Sequence, residues 1–119
     1  MNNLFIKQFE IWTADLDPSI GSEPGKLRPV VILQSDILHM AGHGSTIVCA
    51  ISSQPREGVS LIRININPSL VNGLKKRSFI LADQMRAVDL TRLKERVGSL
   101  EKENVQMLKE SIRAILTLD

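Results

Sequence analysis

An arginine, a pair of serines and a loop glutamate are the residues of this chain whose types and spacing suit work on a phosphodiester. Arg28 stands before Pro29 at the mouth of Val30-Val31-Ile32-Leu33, a continuous apolar run that reads as a strand buried on both sides. Pro29 fixes its own φ and biases Arg28 toward extended geometry, so the guanidinium leaves the backbone in a restricted direction. A bidentate cation held at a strand end beside a loop suits recognition of a phosphate. Ser52 and Ser53 close a second apolar segment that begins at Thr46. If the two strands are antiparallel neighbours, the start of one lies beside the end of the other. Arg28 then shares a pocket with a serine hydroxyl, roofed by the loop that carries Glu23. A guanidinium, a hydroxyl and a carboxylate can position a phosphodiester and stabilise the charge that develops on it.

RNA brings its own nucleophile, the 2′-hydroxyl. A site that aligns this oxygen in line with phosphorus, removes its proton and stabilises the pentacoordinate state leaves a 2′,3′-cyclic phosphate and a 5′-hydroxyl, and spares DNA. On the residues alone this is one possibility among several. Each residue also has a structural reading. Arg28 can pair with Asp15 or Asp17, Ser52 can bond to its turn, and Glu23 can be a solvated loop charge. Trp12 fits a core or a dimer interface better than a base-stacking platform.

Length and composition narrow the field. The chain of 119 residues suits one domain, residues 1–119, with one modest core. Its apolar fraction of 43% belongs to a globular chain, and its net charge of +2 fits RNA or an acidic protein partner. With aromatics at 3% and no Tyr, stacking on aromatic platforms is not expected to dominate nucleic-acid binding. Cys49 sits in an apolar run and reads as a small buried residue. His39 and His43 lack Cys partners at ligand spacing and read as solvated loop residues, and the acidic residues are scattered, so no metal and no cofactor is expected. The first residues lack the apolar core of a signal peptide and no run is long enough to span a bilayer, which makes the cytoplasm the expected location.

The elements that must position these groups follow from the pattern. Strands are expected over Phe9 to Leu16, Val30 to Leu33, Thr46 to Ser52, Leu61 to Ile66 and Ser78 to Leu81, with a short last strand over Asp83 to Val88. The loop between the first two, with Pro18, Gly21, Pro24 and Gly25, has roughly a dozen residues against about 2–5 in an ordinary hairpin, as functional loops do. Ser35 to Ser45 reads as a surface connection, and Pro68 to Gly73 as room for one helical turn. Lys75-Lys76-Arg77 is either a solvated turn or a phosphate-steering group. Asp89 is expected to cap a brief helix reaching Leu93, and Ser99 to cap the closing helix. Val105, Leu108, Ile112, Ile115 and Leu116 give that helix one apolar stripe. The result is an α+β chain, mainly β: a small, strongly bent sheet or barrel covered by a terminal helix.

Glu10-Ile11-Trp12, Asp15-Leu16-Asp17-Pro18, Gly21-Ser22-Glu23 and Arg28-Pro29-Val30-Val31 resemble, in order and spacing, the opening of the MazF/PemK family of toxin endoribonucleases. Ala50-Ile51-Ser52-Ser53-Gln54 resembles that family's third strand, and Leu81-Ala82-Asp83-Gln84-Met85-Arg86 its fifth, so the likeness covers nearly the whole chain. It implies an SH3-like barrel with a C-terminal helix, a homodimer, and a toxin that cuts single-stranded mRNA at a specific sequence. It also implies a cognate antitoxin, expected as an acidic, partly disordered segment that folds across the same groove. By the same resemblance Arg28 and Ser52 are catalytic, the Ser replacing a Thr, and Glu23, at the family's RNA-binding site, is placed in the catalytic set with them. Gln54, Asp83 and Gln84 match positions that read bases, and Lys26 and Ser53 join the RNA-binding set. Ser53 takes over the catalytic hydroxyl if the register differs by one. Two departures bear on cleavage specificity: Phe9-Glu10 stands where the family has Gly-Asp, and Pro24 where it often has Gln. CcdB-like toxins share the fold and poison DNA gyrase without cutting RNA; the Gly-Ser-Glu, Arg-Pro and Ser-Ser set separates this chain from them. A family member that binds RNA or antitoxin without cleaving is a third reading.

Overall fold

Strands β1 (Glu10–Asp15) and β2 (Leu27–Ile32) lead into a short helix α1 (Asp36–Met40) and strand β3 (Ser45–Ser52). Then follow β4 (Arg63–Ile66), the long β5 (Ser78–Asp89), a 3-10 turn at Leu90–Arg92, β6 (Leu93–Ser99) and helix α2 (Lys102–Leu116). The computed structural model describes residues 5–17, 26–54 and 62–119. Glu23, Pro24 and Leu61 lie outside them. The strands form one antiparallel sheet in the order β4-β5-β3-β2-β1-β6.

That order forces the sheet to curl. The end of β5 pairs with β3 through Asp89 and Ser45, whereas the start of β6 pairs with β1 through Leu93 and Ala14. In a flat sheet β5 and β6 would lie four strand spacings apart, about 19 Å. The three-residue 3-10 turn between them rises only about 6 Å. The two strands can be joined only if the sheet bends back on itself, and Leu16, Val88 and Leu93 accordingly meet in one cluster with Trp12, Ala14, Val30 and Ala50. Trp12 is therefore core. The expected mainly-β architecture with a C-terminal helix is present, and the hydrogen-bonded ladder keeps two edges, β4 and β6, rather than closing.

The other face carries Ile11, Val31, Cys49, Ile51, Ile64, Ile66 and Ile80, covered by Leu108, Val105, Ile112 and Ile115 of α2. Burying a side chain of this size contributes about 1.5–3 kcal/mol, so the four-residue stripe is ample to dock the helix. Leu116 departs from the expected stripe and is half exposed. The N-cap is Glu101, not Ser99; Ser99 ends β6, donating its N–H to Val71 O and accepting from Arg96.

Three other elements differ from the sequence pattern. The fifth and last strands are one: β5 runs unbroken, but six of its residues, Ile80 to Met85, stand against three of β3, Ile51 to Cys49. The extra residues form a bulge at Ala82-Asp83-Gln84 that swaps the inward and outward faces, which breaks the alternation read along the chain. Strand β6 is hidden by Lys94-Glu95-Arg96, whose charges suit an edge strand. Helix α1 sits in the expected surface connection, capped by the Ser35 hydroxyl accepting the Ile37 N–H. His39 is correspondingly not a solvated loop residue. Its ring is 7% exposed, with Nδ1 3.1 Å from Asp36 Oδ1 and Nε2 2.9 Å from Thr46 Oγ1.

Phe9 and Glu10 explain themselves at the start of β1. Phe9 has φ 68°, a left-handed conformation that favours glycine, the residue the resembled family carries there. Its ring packs on the helix-covered core and lies 5.7 Å beneath the Lys109 ammonium, contacts a glycine cannot make. Glu10 keeps the family's carboxylate one methylene longer. Its Oε1 accepts from the Lys7 N–H at 2.8 Å and Trp12 Nε1 at 3.0 Å, and its Oε2 from Arg96 Nε at 2.7 Å. Burial pushes this carboxyl up, but those hydrogen bonds and the charge of Arg96 outweigh it and hold the pKa below the ordinary range.

Candidate active site

Pro29 shapes the site by what it cannot do. Arg28 pairs with Ala14 and Pro29 with Thr13 on the β1 side of β2, but pairing with β3 starts only at Val30, opposite Ala50. Pro29 has no N–H to continue that ladder, so the mouth of β2 and the end of β3 part. A cavity of about 340 Å³ opens there, lined by Lys26, Leu27, Arg28 and Pro29, by Ile51 and Ser53, and by Leu74, Lys75, Lys76 and Ser78. Four of these ten residues are cations, and none is acidic.

Continuing the β2–β3 register by two places sets Arg28 opposite Ser52. Of the two strand-end serines, Ser53 shares the cavity lining with Arg28. The two serines are placed differently. Ser52 is 1% exposed, lies opposite Phe79 of β5, and its Oγ accepts the Gln54 N–H at 3.1 Å, which closes the turn after β3. Ser53 is exposed and lines the cavity. Gln54 is exposed beside it.

Lys26 is held where it can reach the cavity. Its backbone takes φ 65°, its N–H donates to Asp17 Oδ1 at 2.6 Å, and its carbonyl accepts the Leu16 N–H. Asp15 Oδ1 in turn accepts the Asp17 N–H, and Arg92 Nη1 donates to the Asp15 carbonyl. Both carboxylates considered as partners for Arg28 thus tie down the stem of the loop that carries Glu23. Asp83 lies elsewhere: on the β5 bulge, paired with Arg63 of β4 and outside the cavity lining. Gln84, half-buried, is beside it on the same bulge. The cavity brings together Arg28, Ser53 and Lys26, with Ser52 and Gln54 next to Ser53 along the chain, and its lining does not include Asp83 or Gln84.

Lys75, Lys76 and the apolar floor of Leu27, Pro29, Ile51 and Leu74 were not selected by spacing. The basic triplet was visible, but only the pairing of β4 with β5 brings its turn to the mouth of β2. Among the described residues, no group of three or more His, Cys, Asp and Glu is arranged to hold a metal ion. No helix among them is long and apolar enough to cross a membrane.

A curled antiparallel sheet with a C-terminal helix on one face and a cationic cavity at the mouth of β2 defines a small α+β fold. Residues 7–116 match the family of PemK-like, MazF-like toxins of type II toxin–antitoxin systems, and the chain belongs to that family. It is 30% identical to endoribonuclease EndoA of Bacillus subtilis, with 97% of each chain covered. It is 33% identical to endoribonuclease MazF of Staphylococcus saprophyticus, covering 95% of this chain and 92% of the relative. Among solved structures, the Mycobacterium tuberculosis toxin MazF-mt6 superposes with a TM-score of 0.74 at 25% identity, over 92% of this chain and 98% of that one. A MazE-MazF structure from Deinococcus radiodurans gives a TM-score of 0.76 at 16% identity, over 98% and 100%.

Proposed function

We propose that this chain is the toxin of a type II toxin–antitoxin pair and a sequence-specific endoribonuclease that cuts single-stranded mRNA without a metal. The observation that carries the reading is the cationic cavity at the mouth of β2, whose lining includes Arg28 and the strand-end Ser53. The relatives EndoA and MazF, endoribonucleases matched over nearly their full length, support it. The attacking group is the RNA's own 2′-hydroxyl, in line with the scissile P–O5′ bond. Attack forms the new P–O2′ bond and breaks the P–O5′ bond; the 5′-oxygen takes up a proton from solvent as it leaves, giving a 2′,3′-cyclic phosphate and a 5′-hydroxyl.

Arg28 binds the non-bridging oxygens, whose charge grows as phosphorus becomes pentacoordinate. Ser52 Oγ, which spends an acceptor site on the Gln54 N–H, keeps its own proton to donate. Glu23 supplies a carboxylate to take the 2′-proton, and Lys26 steadies the strand. Ser53 is the second reading for the hydroxyl, favoured by its exposure in the cavity. Unstacked RNA suits such a site because bases can splay and the in-line angle is reachable. The toxin works as a homodimer, and an antitoxin occupies the same groove, in keeping with the MazE-MazF neighbour.

The test is cleavage of a long mixed-sequence RNA in EDTA by wild type, Arg28→Ala, Ser52→Ala and Ser53→Ala, with fragment ends mapped. Discrete cuts with cyclic phosphate and 5′-hydroxyl ends, lost in Arg28→Ala and in one serine variant, are expected. Intact RNA with folded, antitoxin-free wild type refutes the reading.

A further inference from the structure

The far wall of the cavity is built from the turn between β4 and β5, and that turn is held rigidly. Asn72 is 1% exposed; its Oδ1 accepts the N–H groups of Ser69 and Leu74, both at 3.0 Å, and its Nδ2 donates to the Asn67 carbonyl at 2.8 Å. The turn is also pressed onto β6. A Cβ on Gly73 would come within 2.2 Å of the Val97 carbonyl oxygen, and one on Gly98 within 2.5 Å of the Asn72 backbone. Lys75 and Lys76 therefore project from a fixed base, facing Lys26 and Arg28 across the opening. The third cation of the triplet is turned away: Arg77 Nε donates to Asn65 Oδ1 at 2.8 Å, and its guanidinium lies 5.5 Å above the Phe79 ring.

We propose that this cavity is a subsite for one unstacked nucleotide beside the scissile bond, its base on the apolar floor and its phosphate on Lys75 and Lys76. The subsite rests on the ribonuclease reading, in which Arg28 takes the scissile phosphate. An apolar floor with a cationic rim matches a nucleotide, which has an apolar ring face and an anionic phosphate. At about 340 Å³ the cavity is at the small end of ligand sites, suited to one residue of a strand rather than several. A peptide fits less well. On the side of β2 that faces β3, Pro29 has no N–H to donate, so an extended segment finds no continuous ladder to join there. Because the turn is already fixed, binding needs no ordering of its backbone.

The experiment compares wild type, the double variant Lys75→Ala/Lys76→Ala and Arg77→Ala. The probe is a mixed-sequence, fully 2′-O-methylated RNA 20-mer, which binds without being cut, titrated over a range of salt. All three positions are exposed, and thermal melting checks that each variant folds. The double variant is expected to lower the slope of log K against log salt by about 0.7–1.4, which is about 5- to 25-fold in affinity at 0.1 M salt. Arg77→Ala is expected to stay within about 2-fold, since one screened charge outside the cavity contributes little. On a cleavable RNA the double variant raises KM and leaves kcat within about 2-fold, because the lysines do not touch the reacting atoms. An unchanged slope and affinity in a folded double variant overturns the subsite, as does an equal loss in Arg77→Ala. A loss of affinity for polyglutamate larger than that for the RNA overturns it in favour of an acidic peptide. If wild type cuts no RNA, the function fails in the cleavage arm, while the salt slope still reports on the phosphate contact.

Discussion

Replacing Glu10 with Gln removes one charge from the start of β1 and little else, and its effect can be worked from the contacts. The amide oxygen can keep the Oε1 place and go on accepting from Lys7 N–H and Trp12 Nε1. The amide nitrogen then faces Arg96 Nε, donor against donor, where a 2.7 Å charge-assisted bond stood. Such a bond contributes about 1.5–3 kcal/mol. Arg96 is 50% exposed and can turn to water, so about 1–2 kcal/mol of that is lost. Trading a charged for a neutral acceptor weakens the other two bonds by about 0.5 kcal/mol each. Glu10→Gln is thus expected to destabilise by about 2–3 kcal/mol at pH 7, roughly 7–15 °C in Tm for a chain of this size. The pH dependence gives a second, independent signature. The folded carboxyl is held below its ordinary value of 4.5, so its contribution is complete above that value. It is lost as pH falls below 4.5 toward the folded value, because the unfolded state takes up the proton first. Urea unfolding at pH 7, 5, 4 and 3 should show the gap between wild type and variant narrowing over the acid steps. A gap under about 0.5 kcal/mol at pH 7, or one that stays constant from pH 7 to pH 3, refutes the reasoning.

Gly98→Ala places a methyl 2.5 Å from backbone atoms of Val71 and Asn72, which cannot rotate away, whereas Gly44→Ala meets nothing within 4 Å. Urea unfolding should show Gly98→Ala losing at least about 1–3 kcal/mol and Gly44→Ala less than about 1 kcal/mol; equal effects would rule out the wedge of the turn on β6. Burial, with the charge of Asp83, pushes the Cys49 thiol up to about 12. Iodoacetamide at pH 8 should leave Cys49 intact in the folded chain and label it in urea, and labelling of the native chain at the rate of a free thiol would contradict its placement between the sheet and α2.

The candidate site residues could be proposed from the chain because their signals are local. Arg28 beside Pro29 at the head of an apolar run, serines at the foot of another, and an apolar stripe on the last helix each fall within one element, where periodicity and φ restriction act. What failed was non-local. The bulge of β5 reverses the faces of one strand and made it look like two, and β6 looks like a charged loop until its place at the sheet edge is known. His39 looks like a loop histidine until β3 brings Thr46 to its ring. Asp83 and Gln84 follow the resembled family's order along the chain, yet the bulge carries Asp83 to Arg63 and away from the cavity.

The sequence by itself therefore determined the class of the domain, the strand mouth that holds the guanidinium, and the family to which the chain belongs. Tertiary structure alone decided that Ser52 is buried and Ser53 exposed, and that Lys75 and Lys76, but not Arg77, face Arg28. The physical reason is pairing between distant stretches, which carries the turn between β4 and β5 to the mouth of β2, together with the curl of the sheet. A 3-10 turn too short to span a flat sheet bends it back on itself, and this juxtaposition of residues distant in sequence has no local signature in any one stretch.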